Sequence, residues 1–398
     1  MSEKNDKDKY LTTRCKFNEN RQAYIDRTTK DKTINFICRN EIENIKHLDK
    51  GGSAIIKKAR WIKKTVVLKQ VAVAENTNLN NDGFIKEIKV FYEIGLVYSS
   101  KMNAEYKGKT QLVGYENVIK FFGVSSDESG LYLVLEYADL GNLRYYLNEN
   151  SLNWMQKIDI ARQITCGLYF LHKNEILHCD LHTKNVVIQK NGDGVRAIIT
   201  DFGLSKVLTR NSRSDQQIEG CVGFVDPKLL DDKEGTPDYK SDIYSLGVIL
   251  WEITSDGRPP FNEHISKAGL IRVSINIING MREEPIEGTT ISYVELYTNC
   301  WNGNHDSRPE IEQVYKSIHQ EDIITGEKWK QPIEQKYKSI HQEGVKTGEK
   351  SSQRPKKGIP QKLLKVFEQL STKELKIIRP QLVQAAARQR KREKGLLV

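Results

Sequence analysis

The chain has 398 residues, of which 38% are hydrophobic and 29% are charged, so it can bury a core over most of its length. No apolar run approaches the roughly 20 residues that a membrane-spanning helix needs, and the charged first residues lack the apolar segment of a signal peptide. We therefore expect two or three domains and no transmembrane segment. The expected location is the cytoplasm, with the nucleus as the alternative.

The cysteines argue against a structural zinc site. They are Cys15, Cys38, Cys166, Cys179, Cys221 and Cys300. No two of them form the closely spaced C-x-x-C pair that is typical of zinc ligands. We therefore expect reduced thiols and no zinc site.

The first part of the chain predicts a charged extension followed by strands. Residues 1–41 are rich in charge and lack a long periodic apolar pattern, so we expect a poorly ordered or loosely helical segment. Residues 45–59 and 64–73 carry many β-branched side chains. The glycine pair Gly51-Gly52 supplies a turn within this region, which favours neighbouring strands.

A helix and two more strands are expected next. Apolar residues spaced for one helix face predict a helix over residues 84–94. Residues 98–115 are mostly polar, and we interpret them as a surface insertion. Residues 118–124 and 131–137 are short apolar runs typical of buried strands, and they complete a small, strand-rich lobe.

The pattern then becomes helical. A broad apolar stripe predicts a helix over residues 154–174, and the apolar segment 241–254 is long enough for a buried helix. Between them, residues 176–188 and 196–199 contain β-type runs around the turn signal Asn-Gly-Asp-Gly at 191–194, which predicts a hairpin. A larger, mostly helical lobe follows from this.

The end of the chain contains a repeat and a basic tail. Residues 311–328 recur as 333–350 with a constant offset of 22 residues, and since a solenoid needs about three copies we interpret 320–350 as a linker with duplicated sequence. Residues 351–398 hold 13 Lys and Arg against three Asp and Glu, so they account for the whole net charge of +10. This helical tail is either a solvated end or a binding site for acidic partners or an import receptor.

Three polar residues in the middle of the chain have the types and spacing that phosphoryl transfer requires. Asp180 and Asn185 lie five residues apart in His-Cys-Asp-Leu-His-Thr-Lys-Asn, between short apolar runs. Asp201 follows after the predicted hairpin, in Asp-Phe-Gly. The carboxylate of Asp180 can accept the proton of an acceptor hydroxyl, and oxygens of Asn185 and Asp201 can bind magnesium.

Two charged residues of the small lobe complete the set. Lys69 ends the strand-like run Thr-Val-Val-Leu-Lys and could bind nucleotide phosphates, while Glu87 on the next predicted helix could hold it by an ion pair. Any one of these residues alone is weak evidence, but together and in this order the set resembles the protein-kinase family. The segments Trp251-Glu-Ile and Cys300-Trp301 resemble its tyrosine-kinase-like group.

The resemblance implies an α+β fold, namely the bilobal protein-kinase fold. It covers residues 42–319, with a small antiparallel-β lobe over 42–135 that contains one key helix and a mostly helical lobe over 136–319. It also implies ATP and Mg2+ as cofactors and a protein as substrate, with Leu135 as gatekeeper. The implied nucleotide-binding residues are Leu48, Gly51, Gly52, Ile56, Val67, Lys69, Leu135, Glu136, Tyr137 and Val187.

The phosphate-binding loop departs from the family pattern of three glycines. Asp49 and Ala54 occupy two of the glycine positions, and only Gly51 is in place, with Gly52 beside it. We expect weaker nucleotide binding, partly offset by the flexible glycine pair. Val67 is bulkier than the alanine that the family often has over the adenine ring.

Three further departures from the family pattern concern residues that stabilise the catalytic groups or lie next to them. Cys179 replaces the arginine of His-Arg-Asp that normally binds an activation-loop phosphate. Lys228 replaces the glutamate that would pair with Arg308, so this arginine needs another partner or stays solvated. His182 replaces a lysine that is usual in serine/threonine kinases, and the acceptor hydroxyl therefore remains undecided.

We interpret the chain as an ATP- and Mg2+-dependent protein kinase that transfers the γ-phosphoryl group to protein serine or threonine in signal transduction, with tyrosine as an open alternative. Lys69, Glu87, Asp180, Asn185 and Asp201 are all retained. A second reading is a pseudokinase that serves as a scaffold or allosteric partner, which the altered phosphate loop and Lys228 favour. A third is a binding protein that acts through its basic tail.

Overall fold

The computed structural model describes residues 34–50, 54–71, 83–105, 112–207, 222–231, 235–262 and 269–328. Residues 1–33 of the predicted extension, Gly51 and Gly52, the second copy of the repeat and the basic tail lie outside the described residues. The chain divides into two compact units. The first comprises residues 1–149 and 158–212, and the second comprises residues 150–157 and 213–398.

A five-stranded antiparallel sheet forms the centre of the first unit. Its strands lie in the order β1-β2-β3-β5-β4. Their bounds are Ile42–Lys50 for β1, Ala54–Trp61 for β2, Lys64–Val71 for β3, Phe121–Asp127 for β4 and Gly130–Glu136 for β5. The sequence correctly predicted strands in each of these regions, since their apolar and β-branched residues favour half-buried strands.

The side chains of β3 alternate between the two faces of this sheet. Val66 and Leu68 are almost fully buried in a hydrophobic cluster on one face. Val67 and Lys69 point to the opposite face, because successive residues of a strand alternate in direction. This alternation places the ammonium group of Lys69 on the face that carries the candidate active site.

One long helix, α1 at Gly83–Glu105, belongs to the same unit. The predicted helix over 84–94 is confirmed, and Ile88 and Phe91 are buried as its apolar stripe requires. The expected surface insertion over 98–115 is wrong in its first part, because α1 continues to Glu105. Helix propagation needs only one further backbone hydrogen bond per residue, so a polar segment can extend a helix that packing has already fixed.

The remaining elements up to residue 207 place the catalytic residues, and apart from residues 154–157 they belong to the first unit. Their bounds are Leu143–Glu149 for α2, Trp154–Lys173 for α3, Ile176–Leu177 for β6, Val186–Asn191 for β7, Gly194–Ile199 for β8 and Lys206–Val207 for β9. The predicted hairpin is confirmed as β7–β8, which turns at residues 192–193. Strand β6 pairs with β9, so the ends of the predicted catalytic segments are joined by backbone hydrogen bonds.

The second unit is mostly helical. Its helices are Pro227–Asp231 for α4, Tyr239–Thr254 for α5, Leu270–Ile278 for α6, Ile291–Cys300 for α7, Ile311–Ile318 for α8 and Glu321–Thr325 for α9. Every residue of α5 from Ser241 onward is buried, which confirms the predicted core helix. Asp238 caps its start by accepting a hydrogen bond from the backbone N–H of Ser241.

The α+β fold class is thereby confirmed, with strands concentrated in the first unit and helices in the second. Within the described ranges, none of the helices combines the length and apolar character needed to cross a membrane. These same residues also contain no cluster of three or more His, Cys, Asp or Glu side chains that could hold a metal ion.

Candidate active site

Lys69 and Glu87 form a buried ion pair. The Nζ of Lys69 donates to both carboxylate oxygens of Glu87, at 2.9 and 2.8 Å. Lys69 is 6% exposed and Glu87 is fully buried. The sequence placed these residues on a strand and on the following helix, and the structure brings them together as that reading required.

Asp201 binds the same ammonium group. Its Oδ1 lies 2.8 Å from the Nζ of Lys69. Burial alone would lower the pKa of Lys69, but the negative charges of Glu87 and Asp201 outweigh burial and raise this pKa above its ordinary value. Burial would likewise raise the pKa of Asp201, yet the charge of Lys69 holds it below its usual value. One cation thus lies between two carboxylates, and burial raises the pKa of Glu87 although the charge of Lys69 opposes this rise.

The backbone around Asp201 is fixed by contacts with α1. Asp201 has a φ of +68°, a left-handed conformation that is uncommon for residues other than glycine. The backbone N–H of Phe202 donates to Oε1 of Glu87 at 3.3 Å. Glu87 therefore orients both Lys69 and the turn that carries Asp201.

Aromatic packing supports this arrangement. Phe202 is fully buried and contacts Phe91 of α1 edge-to-face, with ring centroids 5.4 Å apart. Phe91 in turn stacks on Phe121 of β4 at 4.7 Å. The ring of His178 lies 5.3 Å from that of Phe202. Phe91, Phe202 and His178 thus form one continuous stack of rings.

Asn185 fixes the loop that carries Asp180. Its Nδ2 donates to the backbone oxygen of Asp180 at 2.9 Å and to Oδ2 of Asp180 at 3.1 Å. The backbone oxygen of Asn185 accepts from the N–H of Thr200, the residue before Asp201. Nε2 of His178 lies 3.0 Å from the backbone oxygen of Thr200. These contacts connect the two polar segments that the sequence analysis singled out.

His182 is neutral at physiological pH. Burial, and next the neighbouring His178, lower the pKa of His182 to about 4. Its Nδ1 accepts a hydrogen bond from the backbone N–H of Asn185 at 3.1 Å, so the ring proton is assigned to Nε2. Nε2 lies 3.8 Å from Oδ1 of Asp180. An uncharged ring therefore lies beside the candidate base, at the position where serine/threonine kinases usually have a lysine.

The oxygens near Asp201 suit a magnesium ion. Both hydrogen bonds of the Asn185 side chain to Asp180 are donated by Nδ2, so its Oδ1 is available as a metal ligand. For Asp201, Oδ1 receives the bonds from Lys69 and the Gly203 N–H, while Oδ2 has no partner among the described residues. Magnesium prefers oxygen ligands and is usually held by one or two side chains together with substrate phosphates. Asn185 and Asp201 fit this requirement.

Four of the predicted nucleotide-binding residues share one face of the sheet. Ile56 pairs with Lys69, and Val67 pairs with Leu135. Residues paired directly across strands point to the same face, so all four lie on the Lys69 face. Leu135 is buried, while Ile56 and Val67 are partly exposed. This apolar surface next to a phosphate-binding cation could receive a purine ring.

The remaining predicted nucleotide-binding residues are less closely grouped. Leu48 is 48% exposed near the end of β1, and Val187 lies in β7 opposite Ile198. Glu136 pairs with Val66, so its side chain points to the face opposite Lys69 and could contribute only backbone groups to the nucleotide site. Gly51 and Gly52 lie outside the described residues.

Two ion pairs were missed by sequence reasoning. Arg196 of β8 binds Glu136, and its Nη2 also donates to Gln189 at 2.7 Å. In the second unit, Asp226 binds Arg308 through two hydrogen bonds of 2.7 and 2.8 Å. The alternative of a solvated Arg308 is therefore wrong. The available signal was the acidic residue two positions before Lys228.

Cys179 lies between His178 and Asp180, in the position where the family has arginine. It is partly exposed and has a φ of +66°. Lys228 lies where the family has a glutamate, and its Nζ is 3.6 Å from the carboxylate of Asp238. Thr209, Ser212 and Ser214, the hydroxyl residues of the chain that could carry an activation-loop phosphate, lie outside the described residues.

Comparison with known proteins agrees with this geometry. A family model described as protein tyrosine and serine/threonine kinase matches residues 42–318. That range contains every residue of the site described above.

Similar proteins include viral, amoebal and mammalian chains. A putative serine/threonine-protein kinase/receptor of Acanthamoeba polyphaga mimivirus is 26% identical over 72% of the chain and 16% of its own length. The probable serine/threonine-protein kinase pats1 of Dictyostelium discoideum is 25% identical over 67% of the chain and 8% of its own length. Dual specificity testis-specific protein kinase 2 of Rattus norvegicus is 27% identical over 60% of the chain and 43% of its own length. In each case the match spans less than half of the relative.

Proposed function

Because the chain belongs to the protein tyrosine and serine/threonine kinase family, we propose that it is an active, ATP- and Mg2+-dependent protein kinase. The reaction is transfer of the γ-phosphoryl group to a hydroxyl group of a protein substrate. Serine or threonine is the proposed acceptor, since the mimivirus and Dictyostelium relatives are described as serine/threonine kinases. The dual-specificity relative keeps tyrosine as the second acceptor to be tested.

The observation that carries this proposal is the contact of Lys69 with both Glu87 and Asp201. An ammonium group held by Glu87 is positioned to bind nucleotide phosphates, and Asp201 beside it is positioned to bind the metal. A fold kept only as a scaffold has no need for two carboxylates on one buried lysine, because burying charged groups is costly.

Other residues of the site have separate roles in the proposed reaction. Asp180, oriented by Asn185, accepts the proton of the attacking hydroxyl. Asn185 and Asp201 would hold Mg2+, which when bound neutralises charge on the phosphates. Ile56, Val67 and Leu135 would bind the adenine ring. His182 contributes no positive charge, and the proposed cation for the phosphates is Lys69.

A pseudokinase is the second candidate, and the phosphate loop is what favours it. Asp49 brings a negative charge to a position where the family has glycine, and Ala54 adds a methyl group at another. Both changes would weaken the binding of triphosphate. The two candidates share the fold and differ in whether nucleotide binds productively.

The test is transfer of labelled phosphate from ATP by the full chain with Mg2+, using a generic protein substrate and the chain itself. We expect incorporation that stops when magnesium is chelated. The Asp180→Asn variant should lose activity by roughly 10²- to 10⁴-fold while binding nucleotide as before, because the amide keeps the shape but cannot accept the proton. Nucleotide-induced thermal stabilisation without incorporation would assign a pseudokinase. Acid hydrolysis of the labelled product identifies the acceptor residue.

A further inference from the structure

A cavity of about 460 Å³ lies at the end of the sheet in the first unit, and three lysines line it. They are Lys64 at the start of β3, Lys120 just before β4 and Lys190 in β7. The other polar residues of the wall are Thr65, Glu136, Tyr137, Asp139 and Gln189, and Phe122 adds an aromatic ring. We call this cavity the lysine pocket.

The lysine pocket receives side chains from the face opposite the candidate active site. Glu136 is paired with Val66, whose side chain is buried in the cluster on the other side of the sheet from Lys69. Of the side chains on the Lys69 face, neither Ile56 nor Val67 nor Leu135 lines the cavity. The pocket does include Thr65 of that face and the predicted nucleotide-binding residues Glu136 and Tyr137, so it shares residues with the predicted nucleotide site but not its apolar surface.

The two acidic groups of the pocket already have partners. Glu136 forms its ion pair with Arg196. Oδ1 of Asp139 accepts a hydrogen bond from the backbone N–H of Lys190 at 2.8 Å. These contacts leave the positive charge of the lysines largely uncompensated.

The three ammonium groups form no ion pair with any described residue. The Nζ of Lys64 lies over the ring of Phe122, 5.2 Å from its centroid. The charge of Glu136 is neutralised by Arg196, so the three lysines and Asp139 together give the pocket a net charge of about +2. A positive charge in a concave site concentrates anions.

Tyr137 also lines the pocket, but its hydroxyl group is bound elsewhere. The hydroxyl oxygen lies 3.1 Å from the Nζ of Lys58, which is paired with Val67 and so extends from the Lys69 face of the sheet. We therefore do not count this hydroxyl among the donors of the pocket. The backbone oxygen of Tyr137 accepts a hydrogen bond from the Nε2 of Gln189 at 3.1 Å, which fixes the backbone at the wall of the pocket.

We propose that the lysine pocket binds a ligand that carries a phosphate group. A phosphate monoester has a charge of about −1.5 to −2 at neutral pH and three acceptor oxygens, which matches the charge and the donors of the site. A carboxylate would neutralise only half of that charge. The volume has room for a small organic group in addition to the phosphate.

The ligand has two conceivable sources, a soluble phosphorylated molecule or the headgroup of a lipid. Ile62 bears on this choice, because it lies two residues before Lys64 at the turn between β2 and β3 and is 67% exposed. It has a φ of +55°, which is unfavourable for a β-branched residue. An exposed aliphatic residue next to a cationic site is suited to contact with a membrane.

The experiment measures binding of two probes to the full-length protein. The soluble probe is inositol 1,4,5-trisphosphate, followed by calorimetry, and the membrane probe is phosphatidylcholine vesicles that contain phosphatidylinositol 4,5-bisphosphate, followed by co-sedimentation. The test variant is Lys120→Gln/Lys190→Gln. The matched control is Lys46→Gln/Lys89→Gln, which removes the same charge from exposed lysines outside the pocket. Saturating Mg-ADP is added throughout to occupy the nucleotide site.

We expect the test variant to bind at least about tenfold more weakly than the wild type, because two charge-assisted contacts are lost. The control variant should bind like the wild type. Equal binding by all three proteins, or no binding of either probe, would overturn the proposal. Thermal unfolding of the variants checks folding, and the single Lys190→Gln variant repeats the test at an exposed residue.

The Ile62→Asn variant distinguishes the two sources, since asparagine tolerates the positive φ of this turn. If it weakens vesicle binding and leaves binding of the soluble probe unchanged, the pocket receives a lipid headgroup. If it changes neither, the pocket receives the soluble ligand. Both results retain the phosphate site, and both are independent of whether the protein has kinase activity.

Discussion

Asp226 holds Arg308 through two hydrogen bonds of 2.7 and 2.8 Å, and both side chains are fully buried. The guanidinium group is also satisfied by backbone oxygens, since Nε donates to Asn302 and Nη1 to Lys240. The family has a glutamate at the position of Lys228, and here Asp226, two residues earlier, forms the ion pair with Arg308 instead. The buried ion pair of the helical unit is therefore kept, with a different acidic residue.

The Asp226–Arg308 pair predicts a large loss of stability on removal of the acid. Asp226→Ala leaves a buried arginine without its counter-charge, so we expect the free energy of unfolding to fall by about 3–5 kcal/mol. Lys228→Ala is the matched control. Its side chain is 43% exposed, and we expect less than about 1 kcal/mol. Urea unfolding followed by tryptophan fluorescence measures both, and equal losses in the two variants would contradict the assignment.

A second prediction concerns the ion pair of Lys69 and Glu87. Lys69→Met should abolish phosphoryl transfer and also lower the free energy of unfolding by about 3–5 kcal/mol, because it leaves Glu87 buried without a cation. Lys69→Met/Glu87→Gln should recover part of the stability and none of the activity. Urea unfolding and labelled-phosphate incorporation separate the two effects. A double variant no more stable than the single one would argue against this explanation.

A third prediction is a pH dependence due to His182. The pKa of His182 is lowered to about 4 in the folded protein, against about 6.5 in the unfolded chain. Between these values the unfolded chain binds the proton and the folded protein does not. Stability is therefore lost as the pH falls from about 6.5 towards 4, by on the order of 3 kcal/mol.

His182→Gln provides the control for this pH dependence. Glutamine has no titratable group, so the free energy of unfolding of the variant should fall less over the same pH range. Urea titrations at several pH values from neutrality to acid give the comparison. Parallel curves for the two proteins would show that another group causes the acid sensitivity.

A fourth prediction follows from Cys179. Without the arginine that binds an activation-loop phosphate, activity should not depend on phosphorylation of Thr209, Ser212 or Ser214. Initial rates of phosphoryl transfer should therefore be equal before and after phosphatase treatment. Cys179→Arg should make the rate sensitive to phosphatase if one of these residues carries phosphate. A large drop for the wild-type protein would refute the prediction.

Strand and helix positions were the most predictable features. The β-branched run of β3 and the apolar stripe of α1 are local patterns, and they placed Lys69 on a strand and Glu87 on the following helix. The end of α1 was missed, since a polar segment can continue a helix that packing elsewhere has fixed. The Asn-Gly-Asp-Gly signal located the β7–β8 hairpin, because turn chemistry depends on a few adjacent residues.

The sequence by itself determined the kinds of catalytic groups and their order along the chain, together with the secondary structure that carries most of them. Only the tertiary structure decided which acid binds Arg308, because Asp226 lies 82 residues away and no local pattern joins the two. It also decided that His182 is neutral, since its pKa depends first on burial. The lysine pocket likewise exists only after folding, when Lys64, Lys120 and Lys190 come to line one cavity. Periodicity and turn chemistry act over a few residues, whereas ion pairing and desolvation depend on what packs together in space.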